Sequence, residues 1–147
     1  KMALLQIREL GDPVLRTETN QVEEVTDKTR DLLDNMQETM YDANGVGLAA
    51  PQVGISKAIT VIDIGNGVLE FINPEIIEKS EKTYVDQEGC LSIPDRTDKV
   101  ERAYQVKVRA LDRSGEEFEL EAEGLLARAI QHELDHLDGV LFIDKTI

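Results

Sequence analysis

The feature that most constrains the fold is a hairpin that runs straight into a helix. Val106, Val108 and Ala110 alternate with Lys107 and Arg109, and Phe118, Leu120 and Ala122 alternate with glutamates. A period of two buries one face of each run and leaves the other in water. Asp112-Arg113-Ser114-Gly115 joins the runs and predicts a hairpin turn. From Gly124 to Leu137 the apolar period becomes that of a helix. The expected architecture is α+β, with antiparallel strands packed around that helix.

The helix carries both histidines of the chain, in Gln131-His132-Glu133-Leu134-Asp135-His136. At about 100° per residue, Leu125, Ala129, His132 and His136 share one narrow sector. Leu126, Ile130, Leu134 and Leu137 form an adjacent core sector, and Glu133 lies between the two. Arg128, Gln131, Asp135 and Asp138 take the remaining side, which is predicted to face solvent. A core helix does not need a separate histidine face. A metal pocket with an apolar floor, here Leu125 and Ala129, does need one. Histidines at i and i+4 point off one face, and the glutamate after the first is placed to handle protons.

Two imidazoles do not hold a catalytic metal tightly, so a third ligand is required, with one position left open. No histidine follows His136, and Asp144 qualifies only if the chain doubles back. The other candidate is the single cysteine, Cys90, in Gln87-Glu88-Gly89-Cys90-Leu91-Ser92-Ile93-Pro94. Gly89 permits close backbone approach there. Taken alone, a lone cysteine reads as a small buried hydrophobe.

Upstream, residues 27–43 predict a helix with Thr26 as its N-cap and Leu32, Leu33, Met36 and Met40 as its core stripe. Asn44-Gly45 is a natural stop. Strands are predicted over 58–64 and 68–72, with Asn73-Pro74 interrupting the second before an extended run at 76–79. Gly11-Asp12-Pro13-Val14-Leu15 predicts a turn into a short extended segment. Gly45-Val46-Gly47-Leu48-Ala49-Ala50 matches a dinucleotide-binding pattern, but it follows a helix and meets Pro51 at once. Two readings of this stretch stay open. It is a tight connection with Gly45 capping the helix, or a strand edge lying against a ligand, with Gln52 reaching the pocket. A glutamine amide there donates to a developing oxyanion without adding charge.

A chain of 147 residues fits one domain with a real core. Its 30 acidic against 16 basic residues give a charge of −14, which disfavours nucleic acid and anionic membrane, and no run of Lys and Arg offsets it. No apolar run approaches the ~18 residues of a membrane span. The first residues lack a signal-peptide pattern, and Met2, after Lys1, reads as the original start. One cysteine excludes an internal disulfide and fits a reducing compartment.

Three blocks now stand together: Gly45-Val46-Gly47-Leu48-Ala49-Ala50-Pro51-Gln52, Glu88-Gly89-Cys90-Leu91-Ser92 and Gln131-His132-Glu133-Leu134-Asp135-His136. In type, order and separation they closely resemble the three signature motifs of the peptide deformylases. The resemblance runs from about Leu5 to the C-terminus, includes Gly-Asp-Pro-Val-Leu-Arg at 11–16, and is nearest the compact bacterial type. It implies one catalytic domain over residues 1–147, a cytoplasmic metallohydrolase that removes the formyl group from N-formylmethionyl peptides. It implies Cys90, His132 and His136 as ligands of one divalent ion, natively ferrous iron, with zinc, nickel or cobalt able to occupy the site. Glu133 matches the family's general acid/base, and Gln52 and the backbone N–H of Leu91 match its oxyanion donors. Val46 and Gly89 match backbone positions that pair with the peptide like an added strand, and Gly47 lies beside them in the substrate site. Leu125 and Ala129, on the histidine face, are expected to take the methionine side chain.

The chain departs from the family in two places. Many bacterial members continue into a C-terminal helix that docks on the ribosome, whereas this chain ends at Ile147, so docking by that route is not expected. Arg128 stands where the family is often apolar and is expected to rim the pocket. Thiolate ligation of ferrous iron also implies loss of activity in air, slower with a metal that keeps its oxidation state.

Overall fold

A computed structural model describes residues 3–147, so the reading of Met2 as the start lies outside the described residues. In chain order the elements are α1 (Asp27–Asp42), β1 (Gly47–Ala49), β2 (Ile59–Ile62), β3 (Leu69–Lys79), β4 (Thr83–Cys90), β5 (Ile93–Ala103), β6 (Gln105–Leu111), β7 (Glu117–Glu123) and α2 (Gly124–Leu137). Five strands make one antiparallel sheet in the order β1-β2-β3-β6-β7, and β4 and β5 pair apart from it as a hairpin.

The sheet is covered on both faces. Ile62, Phe71, Val106, Val108, Ala110 and Ala122 pack with Ala127, Ile130 and Leu134 of α2. Ile59, Val61 and Ile72 pack with Leu33, Met36 and Met40 of α1. β2 is therefore buried on both sides, which is why its sequence is an unbroken apolar run. The methionines of α1 are core, as their helical spacing predicts. A third cluster joins Leu15, Ile93, Val100, Leu141 and Phe142, tying the N-terminal turn and the chain end to the β4–β5 hairpin.

The predicted α2 and the 112–115 turn agree with the structure. Other expectations need correction. Residues 13–16 form a 3₁₀ turn rather than an extended segment, because Asp12 accepts from the N–H of Val14 and Pro13 presets the first helical position. Asn44, not Gly45, takes the left-handed conformation that ends α1, at φ 58°. The N–H of Gly45 then reaches Met40 O and that of Asn44 reaches Tyr41 O, a Schellman closure. Asn73-Pro74 does not break β3. Asn73, at φ 52°, forms a bulge between Ile72 and Glu75, and its amide pairs with both backbone groups of Val22. β4 and β5 have no counterpart in the sequence reading, since most of their residues are exposed and show no apolar alternation.

Candidate active site

α2 brings both histidines to one side, with ring centroids 5.1 Å apart. The end of β4 brings Cys90 against them, its Sγ 3.4 Å from His136 Nε2. One ligand atom from each of Cys90, His132 and His136 lies within 4.8 Å of the other two. Asp144 is engaged elsewhere. It pairs with Arg16 and accepts from the N–H of Leu141, so it does not double back to the histidines.

The donor set suits a transition-metal ion on three independent grounds. One thiol and two imidazoles are the ligands such ions prefer, and three protein ligands beside an open pocket suit a catalytic rather than a closed site. Burial pushes the pKa of His136 well below its usual range, which keeps its imidazole neutral with a lone pair to share. Burial opposes charge on His132 as well. Hydrogen bonds to Cys90 and Glu88 outweigh that and raise its pKa to about 10, so an ion at Nε2 would have to displace that ring's proton. His132 Nδ1 donates to Glu88 Oε1 at 2.9 Å, which turns Nε2 toward Cys90.

Gly45 and Gly47 are where they are because other side chains fill their space. A Cβ on Gly47 would lie 2.5 Å from Glu133 Oε2, and one on Gly45 would lie 2.6 Å from Leu91 Cδ1. The stretch is therefore a strand edge lying against the site, not merely a tight connection. Glu133 is buried there, with Oε1 lacking a hydrogen-bond partner among the described residues. Burial raises its pKa to about 7. A carboxyl poised near neutrality can take a proton and return it.

Gln52 sits on a 3₁₀ turn over Ala50–Val53. Its Oε1 accepts from the N–H of Ala49 at 3.0 Å, which fixes the amide's direction. Its Nε2 then donates toward Ser92 Oγ at 3.2 Å and Cys90 Sγ at 3.4 Å. The extended N-terminal segment holds both neighbours in place. The N–H of Arg8 bonds Gln52 O and that of Leu10 bonds Ser92 O.

One pocket is lined by Val46, Gly47, Gln52, Gly89, Cys90, Leu91, Leu125, Ala129, His132 and Glu133, along with Gly45, Gln87, Glu88 and Arg128. Every expected site residue except His136 lines it, and His136 lies directly behind Cys90. Leu125 is 55 % exposed at the mouth, whereas Ala129 is buried deeper. The carbonyl of Val46 accepts from Asp63, and its N–H has no partner among the described residues.

The side of α2 expected to face solvent does so only toward its end, where Asp138 is exposed and Asp135 half-buried. Arg128 is 3 % exposed and Gln131 5 %, because the β4–β5 hairpin covers them. Gln131 bonds the N–H and carbonyl of Ala103. Arg128 does reach the pocket wall, but as a buried group rather than a rim. Glu88 is the group that sequence reasoning missed. It accepts from Arg102 Nε and Nη2 at 2.8 Å each, from Arg128 Nη1 at 2.6 Å and from His132. Burial would raise its pKa, but these partners hold it far below the usual carboxylate range. Its place two residues before Cys90 was the available signal.

Three side chains able to hold an ion, a buried carboxyl and an oriented amide around one pocket suit the chemistry of a metal-dependent hydrolase. The polypeptide deformylase family model matches residues 4–147. A peptide deformylase of Halothermothrix orenii is 59 % identical over 99 % of this chain and 96 % of its own length. One from Clostridium botulinum is also 59 % identical, over 99 % and 98 %. The crystal structure of the Thermotoga maritima peptide deformylase superposes with a TM-score of 0.97 at 47 % identity, covering 99 % of each chain. That of the Synechococcus elongatus enzyme, in complex with actinonin, gives 0.95 at 48 %, covering 97 % of this chain and 79 % of that one. The chain belongs to the peptide deformylase family. Among the described residues no helix is long and apolar enough to cross a membrane.

Proposed function

We propose that residues 1–147 act as one catalytic domain that hydrolyses the formyl amide of N-formylmethionyl peptides in the cytoplasm, releasing formate. The observation that carries this reading is the convergence of Cys90, His132 and His136 beside Glu133 and Gln52 on one pocket. Cys90, His132 and His136 would hold a single divalent ion, natively ferrous, with zinc, nickel or cobalt able to replace it. When bound, that ion supplies a Lewis-acid charge for the formyl oxygen and makes a nearby water more acidic.

The protein's own groups do the rest. Glu133 takes the proton of the attacking water, since its carboxyl is poised near neutrality and lies against Gly47 rather than in a salt bridge. As the carbonyl carbon becomes tetrahedral, Gln52 Nε2 and the N–H of Leu91 donate to its oxygen. Glu133 passes its proton to the leaving amine, the C–N bond breaks, and formate and the free N-terminus remain. Val46 and Gly89 pair with the peptide backbone as a strand would. Leu125 and Ala129 take the methionine side chain.

The test is formate release from a formyl-Met peptide by protein loaded with ferrous iron or nickel, with an internally cleavable peptide as control. Formate release without cleavage of the control is expected. Cleavage of the control, or no formate from either loaded form, overturns the reading.

A further inference from the structure

Beyond the ligands themselves, the buried charges behind them set where the ligands can be. Cys90 is on the β4–β5 hairpin, and both histidines are on α2. The hairpin shares no strand pairing with the five-stranded sheet; backbone bonds from Leu10 and Ile147 anchor it at Ser92 and Lys99, but its hydrogen bonds to α2 come from side chains. The twofold bond between Arg102 and Glu88 lies within the hairpin and does not reach α2.

Arg128 does cross the gap. It stands one turn before His132 and donates through Nη1 to Glu88 Oε2 at 2.6 Å and to Val100 O at 2.9 Å. Its Nη2 donates to Tyr84 O at 2.9 Å, and its guanidinium lies 4.4 Å from the centre of the Tyr84 ring. One side chain thus grips β4 twice and β5 once. Its planar fork suits that task, and a Lys ammonium at the same position cannot reproduce it. The crossing is completed by Arg102 to Asp135, at 2.6 Å, and by Gln131 to Ala103. Glu88 directly precedes Gly89-Cys90 in the chain and also accepts from His132, so its position sets both ligand arms.

We propose that Arg128 is a positioning residue for the ion site: by clamping the hairpin to α2 through Glu88, Val100 and Tyr84, it fixes Cys90 relative to His132 and His136. The proposal rests on reading those three residues as the ion's ligands. In Arg128→Met the chain length is kept and the clamp is lost. In Arg128→Lys one charged donor to Glu88 is kept without the fork.

The test uses cobalt-loaded protein spanning residues 1–147 and reads four quantities: the visible absorption of the ion, the rate of cobalt loss to a chelator, kcat and KM on a formyl-Met peptide, and the melting temperature. Arg128→Met is expected to shift the cobalt bands and release the ion about 10-fold faster. Its kcat is expected to fall by a similar factor, with KM changed less. Arg128→Lys is expected to recover part of each effect. Tyr84→Leu, outside the pocket lining, is expected to produce a smaller shift of the same sign, and it decides the matter should Arg128→Met fail to fold. Lower melting temperatures with unchanged bands and cobalt release in the folded variants overturn the proposal. Wild-type protein that binds no cobalt overturns the ligand reading and this proposal together. Wild-type protein that binds cobalt but releases no formate overturns only the proposed function, and the bands still decide on Arg128.

Discussion

The two long sides of α2 treat buried charge in opposite ways. Toward the hairpin, Glu88, Arg102, Arg128 and Asp135 form a cluster of two carboxylates and two guanidiniums, and the Glu88 carboxylate accepts from three side chains. Toward β1, Glu133 Oε1 is buried without a hydrogen-bond partner among the described residues, as is His136 Nδ1 farther along the helix, whereas on the hairpin side only Arg128 Nε is so left. A charge saturated with donors is held still and stays ionised. A carboxyl left unsatisfied in a dry site is shifted toward neutrality and is free to exchange protons. The structure thus separates a holding side from a reacting side across one helix.

Four experiments sharpen or break that division, and the largest effect is expected on the reacting side. Glu133→Gln should lower kcat by about 10²–10⁴, with no loss of stability, since no partner is left stranded. Steady-state kinetics and thermal melts check both halves, and a melting temperature that drops with kcat would erase the contrast. Glu88→Ala should instead lower stability, by about 3–5 kcal/mol, because Arg128 is left buried without a carboxylate while Arg102 keeps only Asp135, and any fall in kcat should come with that loss. Urea unfolding reads this as a lower midpoint at unchanged slope. Gln52→Ala should reduce kcat by about 10²–10³ while KM changes little. A rise in KM alone would mean that the amide binds ground state rather than transition state. The smallest effect belongs to Leu125→Ala, at the exposed mouth. We expect a few-fold rise in KM for formyl-Met peptides, at most the ~1–3 kcal/mol of a lost apolar contact, and no change in melting temperature.

Local chemistry was legible in the sequence, and cross-strand partnership was not. The helix wheel found the histidine face and the core face of α2 because both depend only on spacing within the helix. It misjudged Arg128 and Gln131 because residue type alone sends them to water, while their burial depends on Glu88 and on the backbone of Ala103, residues far away in the chain. The hairpin that supplies those partners was itself hidden, since β4 and β5 bury few of their side chains. The glycines at 45 and 47 left two readings open. Only the positions of Leu91 and Glu133 decide between them, and those belong to other parts of the chain.

The separateness of the β4–β5 hairpin has a consequence for how the protein opens. An ion joined to Cys90 and to His132 is a cross-link between a small sheet and the body of the fold. It closes a loop that runs from β4 through β7 into α2, and such a closure removes conformations from the unlocked chain. Metal loading at the proposed ligands would then do for this hairpin what a disulfide does in an oxidising compartment, but reversibly. Amide exchange over 83–103 should slow on loading far more than exchange in β2 or β3, whose protection comes from the core they already share with both helices.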